Sequence, residues 1–326
     1  MSIRMTSSGL AINGRTPPKL ALEFLDTVLR GVGQVMLQNN SYAGLLFLVG
    51  IFYNSALFGV AVLVGAGVST ASAMLLGADR SQVRDGLYGF NGALVAVALL
   101  YFLQPGALTW TCVVFAAAGS SVLMAAMLNL LSVWKIPTLT APFVFTSLGV
   151  FLATARFGRL ESTGLLPTAG LPSAIEVQGV VTTSTVIEGL FSGIAQVFFQ
   201  ASAVTGVIFA LALLVSSRPA GVAAILGSLI GLLVAWGMGA AEPAIRSGAF
   251  GFNSVLTAIA LGSVFFALNA TSLAYSALAT VATAVMFAAI SAGFEPLGLP
   301  AMTLPFVLVV WVFLLAAPLF PRLRPA

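Results

Sequence analysis

Long apolar stretches separated by short polar breaks make up most of the chain. Eight stretches carry almost no charge: 42–77, 90–103, 107–134, 139–155, 204–216, 220–241, 254–293 and 301–320. A helix needs roughly 20 apolar residues to cross a bilayer, so several stretches can hold a span and some must hold more than one. The pattern predicts an all-α polytopic membrane protein.

Composition supports this prediction. Of the 326 residues, 60% are hydrophobic and only 7% are charged, whereas about a quarter of a soluble chain is charged. So few charges cannot cover a water-facing surface, and a lipid bilayer is therefore the expected solvent.

Polar residues recur at a fixed distance, which indicates two copies of one unit. A shift of 162 residues places Gln34 on Gln196 and Arg84 on Arg246. The same shift superposes the motif GFN at 89–91 on 251–253, and a slip of one further residue superposes the prolines at 137 and 142 on those at 300 and 305. We predict a first repeat over 20–156, a linker over 157–181, a second repeat over 182–320, and tails over 1–19 and 321–326. The polar N-terminal tail is expected to be free, since it lacks the apolar core of a secretory signal.

Basic residues concentrate near both ends of the chain, namely Arg4, Arg15, Lys19, Arg322 and Arg324. The positive-inside tendency then predicts that both termini are cytoplasmic, which requires an even number of spans. An odd number of membrane spans in each repeat would invert the second repeat relative to the first. Inverted repeats place a solute path at their interface. The net charge of +4 therefore concerns topology and does not indicate a nucleic-acid partner.

A polar, glycine-rich stretch at 79–89 interrupts the first repeat, and its counterpart lies at 241–251. Such backbone survives at membrane depth only where it is buried in protein or lines a cavity. We predict a re-entrant half-helix in each stretch, leading into a following helix at Phe90 or Phe252. An ordinary interfacial loop is the alternative.

Missing residue types exclude several classes of function. The chain has no His, and its single cysteine, Cys112, lies in an apolar run where a small buried side chain is expected. No metal cluster, disulfide framework or His-activated nucleophile can be built from these residues. The acids lie at predicted helix ends or polar breaks, whereas coupled transporters keep ionisable groups within their spans. We expect no enzymatic activity, no metal and no cofactor, and instead a pore for a neutral solute.

The repeated polar and aromatic residues are the candidates for lining such a pore. A Gln carboxamide oxygen accepts N–H bonds from an amide solute, although Gln34 and Gln196 can also form interhelical hydrogen bonds. The rings at 90 and 252 either face the pore or pack. Asn91 and Asn253 are expected to cap the broken backbone, and Arg84 and Arg246 to hold the half-helix ends.

The motifs resemble those of the urea transporters. The resemblance rests on LRGVGQVMLQNN at 29–40, GLLF at 44–47, GFNGAL at 89–94 and LTAPF at 139–143, with weaker copies in the second half, and it spans about 20–320. A urea transporter of bacterial type implies two inverted halves of five spans, each with one re-entrant half-helix. It also implies a homotrimer with one passive pore per protomer, and the short tails favour a bacterial inner membrane.

The resemblance also implies roles for particular residues. Amides at the two mouths would come from Gln34 and Gln196, and a ladder of acceptor oxygens from backbone at 86–89 and 248–251. The apolar walls would come from Val35, Leu37, Phe90 and Leu94 in one half and from Val197, Phe199, Phe252 and Leu256 in the other. Because an aliphatic Leu37 corresponds to an aromatic Phe199, the ends of the pore are expected to be unequal. Ser254 in place of Gly92 is expected to change the packing of the second half-helix junction.

Urea is planar and neutral, with four N–H donors and one carbonyl, so flat apolar walls and in-plane acceptors suit it. We therefore predict facilitated diffusion of urea. The alternatives are the same fold conducting a short amide, ammonia or water, and, more remotely, a coupled transporter or a membrane enzyme.

Overall fold

The computed structural model describes residues 3–12, 17–172 and 177–326, which form helices joined by loops and one short hairpin. The helices of the first half are α1 Pro17–Gln34, α2 Ser41–Asn54, α3 Ala56–Leu75, α4 Arg80–Arg84, α5 Gly89–Phe102, α6 Ala107–Leu131 and α7 Ala141–Thr154. Those of the second half are α8 Thr183–Ala195, α9 Ala203–Ser216, α10 Arg218–Gly237, α11 Glu242–Arg246, α12 Gly251–Ile259, α13 Ala270–Phe294 and α14 Leu304–Ala316.

The two sets of seven helices correspond in order, and four of the seven pairs have equal lengths. Helices α2 and α9 both have 14 residues, α3 and α10 both have 20, α4 and α11 both have 5, and α6 and α13 both have 25. The backbone between the helices repeats as well. Residues with left-handed backbone recur in pairs: Leu37 with Phe199, Gly77 with Gly239, Gly86 with Gly248, Lys135 with Gly298, and Leu139 with Met302. The first three pairs are 162 residues apart and the last two are 163 apart, which locates the one-residue slip between them.

A π-helix accounts for the slip. Helix α12 continues as a π-helix over Ala260–Val264, and a π turn accommodates one residue more than an α turn. Beyond it, the isolated bridge between Leu103 and Ser162 recurs as the bridge between Phe266 and Pro325, at an offset of 163. The additional residue of the second half therefore lies within the helix itself.

The equivalence of the halves continues past the predicted repeat boundaries. The Thr163 N–H donates to the carbonyl oxygen of Phe102 over 2.9 Å, and the Ala326 N–H donates to that of Phe265 over 3.1 Å. Residues 157–163 and 321–326 thus belong with the repeats rather than with the linker and the tail.

Five helices in the described part of the chain are long and apolar enough to cross a membrane, and six if the pair α8–α9, bent by 73°, counts as one span. Four shorter apolar helices accompany them: Ser41–Asn54, Gly89–Phe102, Ala141–Thr154 and Leu304–Leu319. The expectation of an all-helical polytopic membrane protein is confirmed at this level.

The half-length helix does not lie where the sequence predicted it. Within 79–89 only the five residues of α4 are helical, too few for a half-helix. Helix α5 begins at Gly89, and its 14 residues span about 21 Å, whereas the hydrocarbon core is about 30 Å thick; α2 and α7 have the same length. All residues of α5 except Tyr101 are buried, so protein rather than lipid surrounds this short helix.

The expectation of a free N-terminal tail is wrong for residues 3–12. They form two antiparallel strands, β1 Ile3–Thr6 and β2 Gly9–Ile12. The Leu10 N–H donates to Asp26 Oδ1 over 2.9 Å, and the Ser41 N–H donates to the carbonyl oxygen of Ser8 over 3.1 Å. Asp26 in the middle of α1 and Ser41 at the start of α2 thus anchor the hairpin, while residues 13–16 lie outside the described part.

Candidate functional site

Two cavities lie where the halves meet. The first cavity has a volume of about 230 Å³ and is lined by Gln34, Val35, Leu37, Leu87, Phe90, Met124, Leu128, Pro137, Thr138, Leu139, Thr140, Val264, Phe265 and Phe306. The second cavity has about 290 Å³ and is lined by Tyr101, Phe102, Leu165, Pro167, Gln196, Val197, Phe199, Ala249, Phe252, Phe287, Ser291, Pro300, Ala301, Met302 and Thr303. Each half contributes to both cavities at corresponding positions, as in a contact related by a twofold axis.

A pair of threonines joins the cavities. Thr140 lines the first cavity and Thr303 the second, and their hydroxyl oxygens lie 2.6 Å apart in a hydrogen bond. Both side chains are buried, so this pair lies between the walls of the two cavities. Neither threonine was among the predicted site residues, although Thr140 lies in the motif LTAPF at 139–143 and recurs as Thr303, a signal that could have found both residues.

The two predicted amides occupy equivalent places with equivalent bonds. Gln34 Nε2 donates to the carbonyl oxygen of Asp85 over 2.8 Å, and Gln196 Nε2 donates to that of Ser247 over 3.1 Å. Each NH₂ group is thus held by the turn before α5 or α12, and each Oε1 has no hydrogen-bond donor among the described residues. An amide fixed in this way presents an acceptor to a solute. The carbonyls that hold the amides lie one residue before the predicted ladders at 86–89 and 248–251.

A second pair of amides stabilises the breaks that follow Gln34 and Gln196. Gln38 Nε2 donates to the carbonyl oxygen of Met36 over 3.0 Å, and Gln200 Nε2 donates to that of Phe198 over 2.7 Å. Because the helix is interrupted, these backbone carbonyl oxygens have no N–H partner within it, and the side-chain NH₂ groups donate to them instead. The sequence could not separate these buried structural amides from the two that face the cavities.

Left-handed backbone at bulky residues is concentrated on the cavity walls. The φ angles are 60° at Leu37, 52° at Leu139, 59° at Phe199 and 47° at Met302. The first two residues line the first cavity and the other two line the second. A side chain with a Cβ costs roughly 1–2 kcal/mol in this region, and such strain persists mostly at functional sites.

Eight of the ten predicted pore residues line one of the cavities, and two do not. Val35, Phe90, Val197 and Phe252 are wall residues, as are both amides and the pair Leu37 and Phe199. Leu94 and Leu256 are fully buried and pack within the core, since they lie one helical turn further along α5 and α12. The pore-wall role of these two residues stays a prediction.

The buried asparagines cap helices other than the ones expected. Asn91 Oδ1 accepts from the Phe143 N–H over 3.0 Å, and Asn253 Oδ1 accepts from the Phe306 N–H over 3.2 Å. They therefore satisfy the first turns of α7 and α14, next to the threonine pair, rather than the break before their own helices.

The basic residues of the polar breaks differ between the halves. Arg246 pairs with Glu188 at 2.8 Å and with Glu242 at 2.7 Å, which ties α11 to the start of α8 as expected. Arg84 contacts only Glu23, at 3.3 Å, with most of its side chain exposed, and such an exposed pair stabilises little. No ionised side chain lines either cavity, and the described residues hold no group of three metal-ligating side chains.

The two cavities differ in their walls. Position 37 is aliphatic, and Leu37 and Val264 both line the first cavity, whereas Phe199 lies 5.3 Å from Tyr101, centroid to centroid, in the second. The substitution of Ser254 for Gly92 gives that junction a side-chain bond, because Ser254 Oγ donates to the carbonyl oxygen of Thr280 over 3.2 Å.

Uncharged cavities that meet between two halves of a helical membrane protein define a membrane transport protein. Comparison with known proteins identifies its family. A family model described as "Urea transporter" matches residues 25–318. The chain is also 32% identical to Urea transporter 1 of Ovis aries over 307 residues, covering 90% of this chain and 77% of that protein. It is 31% identical to Urea transporter 1 of Rattus norvegicus over 309 residues, covering 91% and 78%.

The chain therefore belongs to the urea transporter family. Family membership makes it an integral membrane protein whose function is the facilitated transport of urea, and it is a transporter rather than an enzyme.

Proposed function

We propose that urea crosses the membrane passively through one continuous pore, which runs from the first cavity past Thr140 and Thr303 into the second. The observation that carries this proposal is the 2.6 Å contact between the two threonines, because it brings cavities from both halves to a common point. Gln34 and Gln196 supply an acceptor in each cavity.

The chemistry of the walls suits urea. Flat faces of urea lie against aromatic and aliphatic side chains, while acceptor oxygens replace water around its N–H groups. An ion is excluded because uncharged walls recover too little of its hydration energy. Binding must remain weak at each site, since a pore conducts only when solute leaves readily.

We further propose that the two halves have inverted topology. Helices α1, α2, α3, α6 and α7 would each cross the membrane. Helix α5 would be the re-entrant half-helix, because it is buried over almost its whole length whereas α2 and α7, which also have 14 residues, are not. The second half would repeat this arrangement. An odd number of crossings inverts the second half. A twofold axis in the membrane plane then places the two cavities at opposite faces, as a continuous pore requires.

Cysteine labelling in intact cells tests this topology. In a Cys112→Ser background, single cysteines replacing Ser8 and Arg324 are expected to resist a membrane-impermeant maleimide, while a cysteine at Gly170 in the linker reacts, because an odd number of crossings separates it from both ends. Labelling of only one terminus would contradict inversion.

The same cells test the proposed bacterial inner membrane by fractionation, and native mass spectrometry in detergent tests the proposed homotrimer with one pore per protomer.

Urea flux into proteoliposomes tests the passive mechanism. The cavity walls contain no His, carboxylate, Lys or Arg, so permeability is expected to change less than about twofold between roughly pH 5.5 and 8.5, a range in which uncharged groups do not titrate. Imposed sodium or proton gradients should have no effect on the final urea level. Accumulation of urea above the external concentration would contradict a passive pore, and large flux of a short amide, ammonia or water with little urea flux would favour the alternative solute.

A further inference from the structure

The second cavity carries two hydroxyl groups that the first cavity lacks. Tyr101 and Ser291 both line the second cavity. At the offset of 163 that applies after the π-helix, their counterparts are Val264 and Leu128, and both of these line the first cavity. The repeat thus exchanges hydroxyl groups for aliphatic carbon at these two positions. The reverse exchange, Thr138 in the first cavity for Ala301 in the second, supplies no free donor, because the Thr138 hydroxyl donates to Met124 Sδ over 3.1 Å.

Both hydroxyls are available to a solute. The Tyr101 ring is held by Phe199, 5.3 Å away between ring centroids, and by Phe102, 4.9 Å away. The hydrogen bonds of Tyr101 and Ser291 involve their backbone carbonyl oxygens and not their hydroxyl groups. For example, Thr163 Oγ1 donates to the carbonyl oxygen of Tyr101 over 2.8 Å. Within the described residues, neither hydroxyl group has a hydrogen-bond partner.

Hydrogen-bond donors are otherwise scarce on this wall. The NH₂ group of Gln196 is engaged by the carbonyl oxygen of Ser247, and the hydroxyl of Thr303 bonds to that of Thr140. The cavity therefore offers acceptors to the N–H groups of urea. The carbonyl oxygen of urea needs a donor, and a hydroxyl can supply one.

We infer that Tyr101 and Ser291 bind the carbonyl oxygen of the solute in the second cavity and set the affinity and carbonyl selectivity of that end of the pore. This inference rests on the proposed pore. The first cavity binds solute without an equivalent donor pair, so the two ends recognise different edges of the same molecule.

Near-isosteric removal of the hydroxyls tests the inference. In equilibrium exchange of labelled urea across proteoliposomes, Tyr101→Phe and Ser291→Ala should each raise the half-saturating urea concentration about two- to fivefold, and the double variant about three- to tenfold, as expected for the loss of one or two neutral hydrogen bonds. Thiourea, whose sulfur is a weaker acceptor, should show less than half of that change. A merely structural role would shift both solutes equally.

Tyr275→Phe is the matched control, because the Tyr275 hydroxyl donates to the carbonyl oxygen of Phe313 over 2.8 Å and lies in neither cavity. Half-saturation in this variant should equal that of the wild type. Values within a factor of 1.5 of the wild type in the double variant, or equal shifts for urea and thiourea, would overturn the inference. If Gln196→Leu still lowers flux in that case, the proposed pore stands while this inference fails. Absence of urea flux in the wild type would instead remove the pore.

Discussion

Replacement of Gln34 and Gln196 together by leucine is expected to lower urea permeability at least about tenfold. Each amide is the acceptor at one cavity, and leucine has a similar volume but no hydrogen-bonding group. Without the acceptor, the free-energy barrier for urea to lose its hydrating water rises by about 1–1.5 kcal/mol. Such a rise lowers the rate of permeation close to tenfold. The substitution also leaves the carbonyl oxygens of Asp85 and Ser247 without the NH₂ groups that now bond to them.

Stopped-flow urea permeability, normalised to folded protein in the vesicles, measures this effect. The single variants should each show a smaller loss, because one mouth remains intact. Gln104→Leu is the control, since Gln104 is exposed and lines neither cavity. Wild-type permeability in the double variant would remove both amides from the solute path.

Substitution of Gly86 and Gly248 by alanine is expected to destroy the folded protein in the double variant. Their φ angles are 76° and 77°, a region that costs alanine roughly 1–2 kcal/mol. A Cβ at 86 would also lie 2.6 Å from the backbone carbon of Arg30 and closer still to the Gly31 nitrogen. Relief of such a clash requires helix α1 to move, which adds about 1–3 kcal/mol. Two such losses approach the whole stability of a typical domain, about 5–15 kcal/mol.

Gly77→Ala separates the two contributions. Gly77 has nearly the same φ, 78°, but a Cβ there would meet nothing within 4 Å. The Gly77→Ala variant should lose only the free energy of unfolding that left-handed backbone costs alanine, and it should remain folded. Thermal melting followed by size-exclusion chromatography compares the variants. A melting temperature for Gly86→Ala equal to that of Gly77→Ala would show that close packing against α1 is unimportant.

The repeat was predictable from sequence because its two copies share polar residues, glycines and prolines in the same order. Chance similarity between apolar segments does not produce such matches. Gln, Gly-Phe-Asn and the proline pairs fixed the correspondence, and the structure brings most of the predicted residues to two equivalent cavities. The unequal walls at Leu37 and Phe199 also follow from this correspondence, since both have the same backbone conformation and differ only in the side chain.

Features that depend on three-dimensional packing were not predictable in this way. Leu94 and Phe90 occupy one helix a turn apart, and only the packing of neighbouring helices decides which of them meets the cavity. The polarity of 79–89 located a break and the following helix, which begins at Gly89, but not how little of the break is helical. The hairpin at residues 3–12 has no core of its own, so its position depends on partners such as Asp26 that are distant in sequence.

The inequality of the two cavities has a thermodynamic consequence in the proposed pore. Microscopic reversibility forbids a passive path from generating net flow between equal concentrations, however different its ends are. The Tyr101 and Ser291 hydroxyls at one end, with Val264 and Leu128 in their places at the other, can therefore change only the concentration at which each side saturates. The transporter would approach its limiting rate at a lower urea concentration on the Tyr101 side, which makes its conductance sided although its equilibrium is not.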